Sequence, residues 1–206
     1  KLSSFTKTKS ELEDIFVQMM RANPDYFQIR FIETYNGNEM VRAERDGSDI
    51  YVKESSSMQY KGDSDYYLKA ALLKPGEIFV SKINLNKEHG SIVEPHRSTI
   101  RAVTKVYAGN RNVGLLVINV DMENKLHSIS RTIGSFADVY LINSDGWYIV
   151  EPEMKRTFGF EFGSNDQFTK DFPEYKDEFK EVFSKAGATL KVDDTDNGRL
   201  LYMQSF

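Results

Sequence analysis

The sequence predicts an α+β protein: a long N-terminal helix followed by two antiparallel-sheet units, the second smaller or incomplete. Three observations carry this reading. Apolar residues near the start recur at helical spacing. Two strand–turn–strand segments, each behind a helix, place their turn glycines Gly37 and Gly146 109 residues apart. Between them lie three further runs rich in β-branched and aromatic residues, the composition that suits a pleated, half-buried surface.

Leu12, Ile15, Phe16, Met19 and Met20 share a helical face, Leu2 and Phe5 extend it upstream, and Pro24 closes it. The spacing predicts a helix over 3–22. Leu12, Ile15, Phe16 and Met19 would form either a dimer seam or a face buried against the protein's own sheet. Next comes "YFQIRFIETYNGNEMVRAER", two strand-forming runs around Asn36-Gly37. Asn-Gly supplies the positive φ angles of a tight hairpin. Phe27, Ile29 and Phe31 alternate with Gln28, Arg30 and Ile32, which puts the two sets on opposite faces. "SDYYLKAALL" reads as a short helix broken by Lys74-Pro75-Gly76. "EIFVSKINL", "TIRAVTKVYAG" and "NVGLLVINVDM" read as three strands, with Gly109-Asn110 opening the loop between the last two. The first unit is then a five-stranded antiparallel sheet with helices on one side, a PAS-like plan.

A helix over 122–134 leads to the second hairpin, "FADVYLINSDGWYIVEP", turning at Asp145-Gly146. Aligned on the glycines, Ile32 meets Leu141, Asn36 meets Asp145, Met40 meets Ile149 and Val41 meets Val150. Helix then hairpin, twice, suggests two copies of one unit. The second copy continues with a Phe-rich helical stretch over 166–185 and two weak strands around Asn197-Gly198. Its fifth strand is missing, so it is expected to be too short to enclose a cavity comparable to the first. The segments are a stalk helix over 1–25, a first unit over 26–121, a linker helix over 122–136 and a truncated second unit over 137–206.

Hydrophobic residues make up 40% of the chain and charged residues 28%, enough for a real core under a charged surface. The net charge of −4, with both signs interspersed, argues against a nucleic-acid partner. The chain has no cysteine, which excludes disulfides, thiolate zinc sites and thiol catalysis; this fits a bacterial extracytoplasmic domain but also many cytosolic proteins, so the compartment stays open on this count. No apolar run is long enough to span a membrane. The opening residues look like the interior of a longer chain. There is no H-E-x-x-H, G-x-S-x-G, phosphate-loop or G-x-G-x-x-G motif. The reading is therefore no enzyme, no cofactor and no metal. His89 and His96, with Glu88 and Glu94 nearby, read as polar loop residues closing a strand connection.

Tyr66-Tyr67 lies on the helical connection that covers the sheet. A tyrosine pair offers flat apolar faces and hydroxyls, which suits a small ligand; alternatively one ring fills the core and the other is exposed. Ser81 and Asn119 are polar residues in apolar strands. They either bond neighbouring groups or face a ligand.

The segments "YFQIRFIETYNGNEMVRAER", "DYYLKAALLKPGEIFVSKINLNKEHGSIVEPHRSTIRAVTKVY" and "GLLVINV" resemble the double Cache (tandem PDC) sensor domains of bacterial membrane receptors: histidine kinases, chemoreceptors and diguanylate cyclases. The resemblance is close over 26–121 and weaker over 131–206. It implies a periplasmic or extracellular sensor of an inner-membrane protein, flanked by transmembrane helices outside these residues. It implies a membrane-distal first unit that holds the small-molecule pocket, and an output to a histidine kinase. The amino-acid-binding branch of that family carries an Arg two residues before the aromatic pair and an Asp on the last strand. Here Tyr66-Tyr67 match the pair and Ala70 fits the spacing after it, but Ser64 and Asn119 stand at the charged positions. The ligand is then a different small molecule, a carboxylate held by Arg101 or Arg30 being one candidate. The ligand set is Tyr66, Tyr67, Ser81, Arg101 and Asn119. The covering segment, bracketed by Gly62 and Pro75-Gly76 as hinges, would move on binding. The alternative is a ligand-independent module that dimerises through its N-terminal helix.

Overall fold

The computed structural model describes residues 2–133, 137–194 and 198–205. The chain divides into two compact units, 1–124 and 125–206. No described helix is long and apolar enough to cross a membrane.

The first unit opens with α1 (Leu2–Ala22). β1 (Tyr26–Glu33), β2 (Glu39–Asp46) and β3 (Asp49–Val52) follow, then α2 (Asp65–Ala70). β4 (Ile78–Val80), β5 (Asn84–Leu85), β6 (Lys87–Glu88) and β7 (Ser91–Ile92) are short; β8 (Ser98–Ala108) and β9 (Arg111–Asp121) are long. The main sheet is antiparallel and seven-stranded, in the order β3-β2-β1-β9-β8-β4, with β5 also on β8. The five strands expected from sequence become seven for two reasons. Asp49–Val52 adds a short edge after Gly47. The run "EIFVSKINL" breaks at Ser81, whose hydroxyl accepts the Arg101 N–H at 2.9 Å while its own N–H reaches the Arg101 carbonyl at 2.9 Å.

Pleat alternation decides what each face of the sheet buries. Ile29, Val41 and Ala43 meet Phe16 and Met20 of α1, with Phe31 and Leu12 at the margin. Ile32, Val103, Leu115 and Val117 meet Tyr66 and Ala70 of α2. Both faces carry apolar clusters that need cover, and the helices lie on two sides rather than the one expected. Asn23 stops α1 ahead of Pro24: its side-chain amide and its backbone N–H both donate to the Met19 carbonyl, at 3.0 and 3.1 Å. Of the proposed dimer seam, Phe16 is buried against this unit's own sheet while Ile15 remains 53% exposed.

The first hairpin turns through residues 34–37, not through a two-residue loop. Gly37 alone adopts positive φ, +71°, and its N–H closes onto the Glu33 carbonyl at 3.0 Å. Gly114 on β9 is a point of close approach. A Cβ there would stand 2.3 Å from Phe31 Cζ and 2.8 Å from the Ile32 carbonyl oxygen.

In the second unit α3 (Glu123–Ile133) precedes the hairpin β10 (Leu141–Ile142) and β11 (Tyr148–Val150). α4 (Gly159–Phe162), α5 (Phe168–Asp171) and α6 (Lys176–Phe183) lead to the hairpin β12 (Thr189–Asp194) and β13 (Arg199–Gln204). Residues 134–136 of the expected linker helix and Asn197 of the expected turn lie outside the described residues. Tyr148, Phe168, Tyr175 and Phe179 form an aromatic core. The Tyr148 hydroxyl donates to Asp171 at 2.8 Å, and Arg156 pairs with the same carboxylate at 2.5 Å. Among the described residues the two hairpins are separate sheets. Between them is an apolar cleft of about 660 Å³ lined by Tyr140, Leu141, Phe179, Leu201 and Met203. Against the expectation that this unit is too short to enclose a cavity comparable to the first, its unpaired hairpins leave this open cleft.

Candidate ligand-binding site

The face of the first sheet opposite α1 carries a row of polar side chains. Strand register aligns Glu44, Gln28, Asn119 and Arg101 across β2, β1, β9 and β8. Gln28 donates to Glu44 at 2.8 Å, and Asn119 donates to Gln28 at 2.8 Å. The next register step aligns Arg42, Arg30, Val117 and Val103. A cleft of about 840 Å³ opens over the Arg101 end of this face. Its walls are the segment before and into α2 (Gln59, Lys61, Tyr66) and the hairpin β6–β7 (Lys87, His89, Gly90). Its volume is that of a small-molecule site.

Charge is concentrated in and beside the cleft, whose lining includes Arg30 and Lys61. Arg30, mid-strand and fully buried, sits 3.0 Å from Glu39 and 2.6 Å from Glu88. Arg42 reaches Glu39 at 3.0 Å and Glu44 at 3.1 Å. Glu88 also accepts from Gln28 at 2.9 Å and Gln59 at 2.7 Å, and faces Lys61 at 3.6 Å. Burial alone would push the Glu88 carboxyl up. Arg30, Gln28, Lys61 and Gln59 outweigh it and hold the group at about 2. Lys61 is lowered, first by burial and then by Arg30. Burial pulls the Arg30 guanidinium down, but Tyr66, Glu88, Glu39 and Glu44 together keep it above its ordinary value.

Arg101 differs from Arg30. It is 6% exposed, and it donates to Asn84 and, at 3.5 Å, to Asn86. Its guanidinium carbon lies 5.9 Å from the centre of the Tyr66 ring. No described carboxylate lies within ion-pair distance of it. Burial and then the neighbouring Arg30 charge lower it, which Tyr66, Asp65 and Glu88 offset only in part. A buried cation of this kind favours an incoming anion.

Of the residues expected from sequence, Tyr66 and Arg101 line the cleft. The other three are placed elsewhere. Tyr67 turns its hydroxyl to the Thr34 carbonyl at 2.9 Å. Ser81 completes the break between β4 and β5, its hydroxyl donating to the Lys82 carbonyl at 2.8 Å. Asn119 is fully buried in the polar row, and its Oδ1 has no hydrogen-bond partner. Ser64, at the family's arginine position, lines the cleft and donates to the Lys61 carbonyl at 2.7 Å. Gly62 is wedged against the Tyr60 ring, and a Cβ on it would stand 2.6 Å from the Tyr60 hydroxyl, which is close packing and not a free hinge. Pro75-Gly76 is the centre of a tight turn, with Glu77 N–H on the Lys74 carbonyl at 3.1 Å. His96 meets Glu94 at 2.7 Å on the surface, and among the described residues no cluster of three metal-ligating side chains forms. Glu88, Glu39 and Gln59 were missed. The available signal was Arg30 itself, a cation at the centre of an apolar strand, which demands a buried acid.

A sheet covered on both faces, with a polar cleft under a short helical segment, defines a PAS-like sensor domain of the Cache (PDC) class. The chain belongs to the family described as the bacterial histidine kinase sensor domain, whose sequence model matches residues 2–194. Solved structures share the fold. The extracellular domain assigned to the histidine kinase vpHK1S-Z8 aligns with a TM-score of 0.74 at 24% identity, over 89% of this chain and 64% of that one. A domain assigned to the sensory box/GGDEF family, from Vibrio parahaemolyticus, aligns with a TM-score of 0.74 at 23% identity, over 90% and 69% of the two chains. The ligand-binding domain of the Campylobacter jejuni chemoreceptor Tlp3, solved with L-valine, gives 0.53 at 12% identity, over 83% and 58%. The chain thus spans less than two thirds of the first of these structures. No curated protein matches it in sequence.

Proposed function

We propose that this sensor domain binds a small carboxylate-bearing molecule in the cleft of its first unit and lies on the periplasmic side of an inner-membrane receptor. The receptor passes the conformational signal across the membrane to a histidine kinase. In this reading 26–121 is the membrane-distal ligand unit, 137–206 is the membrane-proximal unit, and 122–136 links them. Arg101 carries the proposal: it is a buried guanidinium on the cleft with no described carboxylate within ion-pair distance. Arg30 is excluded as the anchor, because Glu39 and Glu88 already occupy it. Tyr66 supplies an aromatic wall beside the anchor.

The test is a thermal-shift and calorimetric screen of small mono- and dicarboxylates. A ligand at a hundred times its dissociation constant should add about 2.7 kcal/mol. Arg101→Gln should remove that gain, since a charge-assisted pair contributes roughly 1.5–3 kcal/mol. Equal affinity in the two proteins would remove Arg101 from the site. A second reading, a dimerisation module, is favoured by a different feature. An apolar groove of about 500 Å³ runs along α1 between Leu12, Ile15, Met19, Val106, Val113 and Leu116. Sedimentation that stays monomeric at high protein concentration would count against it.

A further inference from the structure

The hairpin β6–β7 forms a wall of the cleft yet belongs to no larger sheet. It has two residue pairs, Lys87↔Ile92 and Glu88↔Ser91, turned through His89 at φ +52° and Gly90 at φ +81°. A two-stranded ribbon of this size is marginal alone in water. Its base is tied by Asn86 N–H to the Arg97 carbonyl at 2.9 Å and Val93 N–H to the Asn86 carbonyl at 3.1 Å. Near its tip, the Glu88 carboxylate reaches inward to Arg30 on β1 and to Gln59 and Lys61 on the opposite wall. Beside it, His89 N–H meets Gln59 Oε1 at 3.3 Å. The opposite wall has backbone anchors of its own: Glu39 N–H on the Gln59 carbonyl at 2.9 Å and Lys61 N–H on the Gly37 carbonyl at 2.7 Å. Of the two walls, the hairpin is the one whose strands pair with no strand of the main sheet.

We propose that residues 86–93 are a flap over the cleft and that Glu88 is its latch, gripping the sheet through Arg30 and the facing wall through Gln59 and Lys61. Releasing this one carboxylate lets Lys87, His89 and Gly90 move away from Arg101 and widens the entrance. The latch regulates access to the site and so rests on the reading of the cleft as the ligand site. It also fixes where the resistance to entry lies: at a largely buried ionic contact beside the cleft, 58 residues in sequence from its partner arginine.

The test compares amide hydrogen exchange in the wild-type chain, Glu88→Gln and Glu88→Asp, with no ligand added. In Glu88→Gln, amides of 86–93 should exchange roughly tenfold faster or more, as expected when a local opening loses a charge-assisted contact. Amides of β1 and β9 should stay far slower than those of 86–93 in both proteins, rising only by what the variant's lower global stability allows. Glu88→Asp keeps the charge on a shorter arm and should show the same local pattern to a lesser degree. Amine acylation of Lys61, read by mass spectrometry, should accelerate in Glu88→Gln. Unchanged exchange over 86–93 would overturn the latch. So would amides of 86–93 that exchange as slowly as those of β1 and β9 in both proteins, since the hairpin would then open only with the whole unit and be no flap. A cleft that binds no carboxylate would sink the ligand reading and leave the exchange result standing.

Discussion

Glu88 and Arg101 show how one face treats its charges in two ways. Glu88 is ringed by Arg30, Arg42, Lys61 and two glutamine amides, and its pKa falls from 4.5 to about 2. A depressed carboxylate contributes stability that is complete above its unfolded-state value and disappears as pH falls through its folded one. Its contribution is therefore full above about pH 5 and declines toward pH 2. Glu88→Gln removes it. Wild type should melt well above the variant at pH 6, and the gap should shrink steadily on acidification to pH 3. The whole contribution is on the order of 3 kcal/mol or less. A melting-temperature gap that stays constant over this range would show that the charge of Glu88 adds no stability. Arg101 has the opposite character: no described carboxylate lies within ion-pair distance of it, and burial and the Arg30 charge lower it from its ordinary value.

At the scale of elements, α1 tests which of its faces matters to the fold. Phe16 is 2% exposed and Ile15 is 53% exposed, one residue apart. Phe16→Ala should cost about 3–5 kcal/mol by urea denaturation, the range for an aromatic lost from a packed core. Ile15→Ala should change the stability of the monomer by less than about 0.5 kcal/mol. Comparable losses in the two variants would mean that Ile15 is covered in solution. The apolar face of α1 was legible in the sequence because five residues obeyed one period. Strand β1 was legible because alternation separated Gln28, Arg30 and Ile32 from Ile29 and Phe31. β3 was not: four residues after a glycine give too few periods to read. The β4–β5 break was hidden too, because the Ser81 hydroxyl stands in for a ladder partner, which needs the position of Arg101 to be known. Of the candidate site, Tyr66 and Arg101 could be named from their chain context. Glu88 could not, because it lies on a two-residue strand and its meaning comes entirely from contacts distant in sequence.

At the scale of the molecule, each unit has its own core and its own sheets. A lesion in the aromatic core should therefore stay local. Phe168→Ala should speed amide exchange in β12 and β13 while β1 and β9 remain protected, and equal loss in both units would refute the independence of their cores. The polar row across the first sheet has a consequence for assembly. Side chains alternate faces, so sliding β1 by one residue between β2 and β9 would turn Gln28 and Arg30 toward Phe16 and Met20 and strand a charge in hydrocarbon. The same slip would carry Ile29 into the polar row. Misaligned sheets are thus rejected by the polar groups of this face, and proofreading of strand register is built into the surface over which the cleft opens.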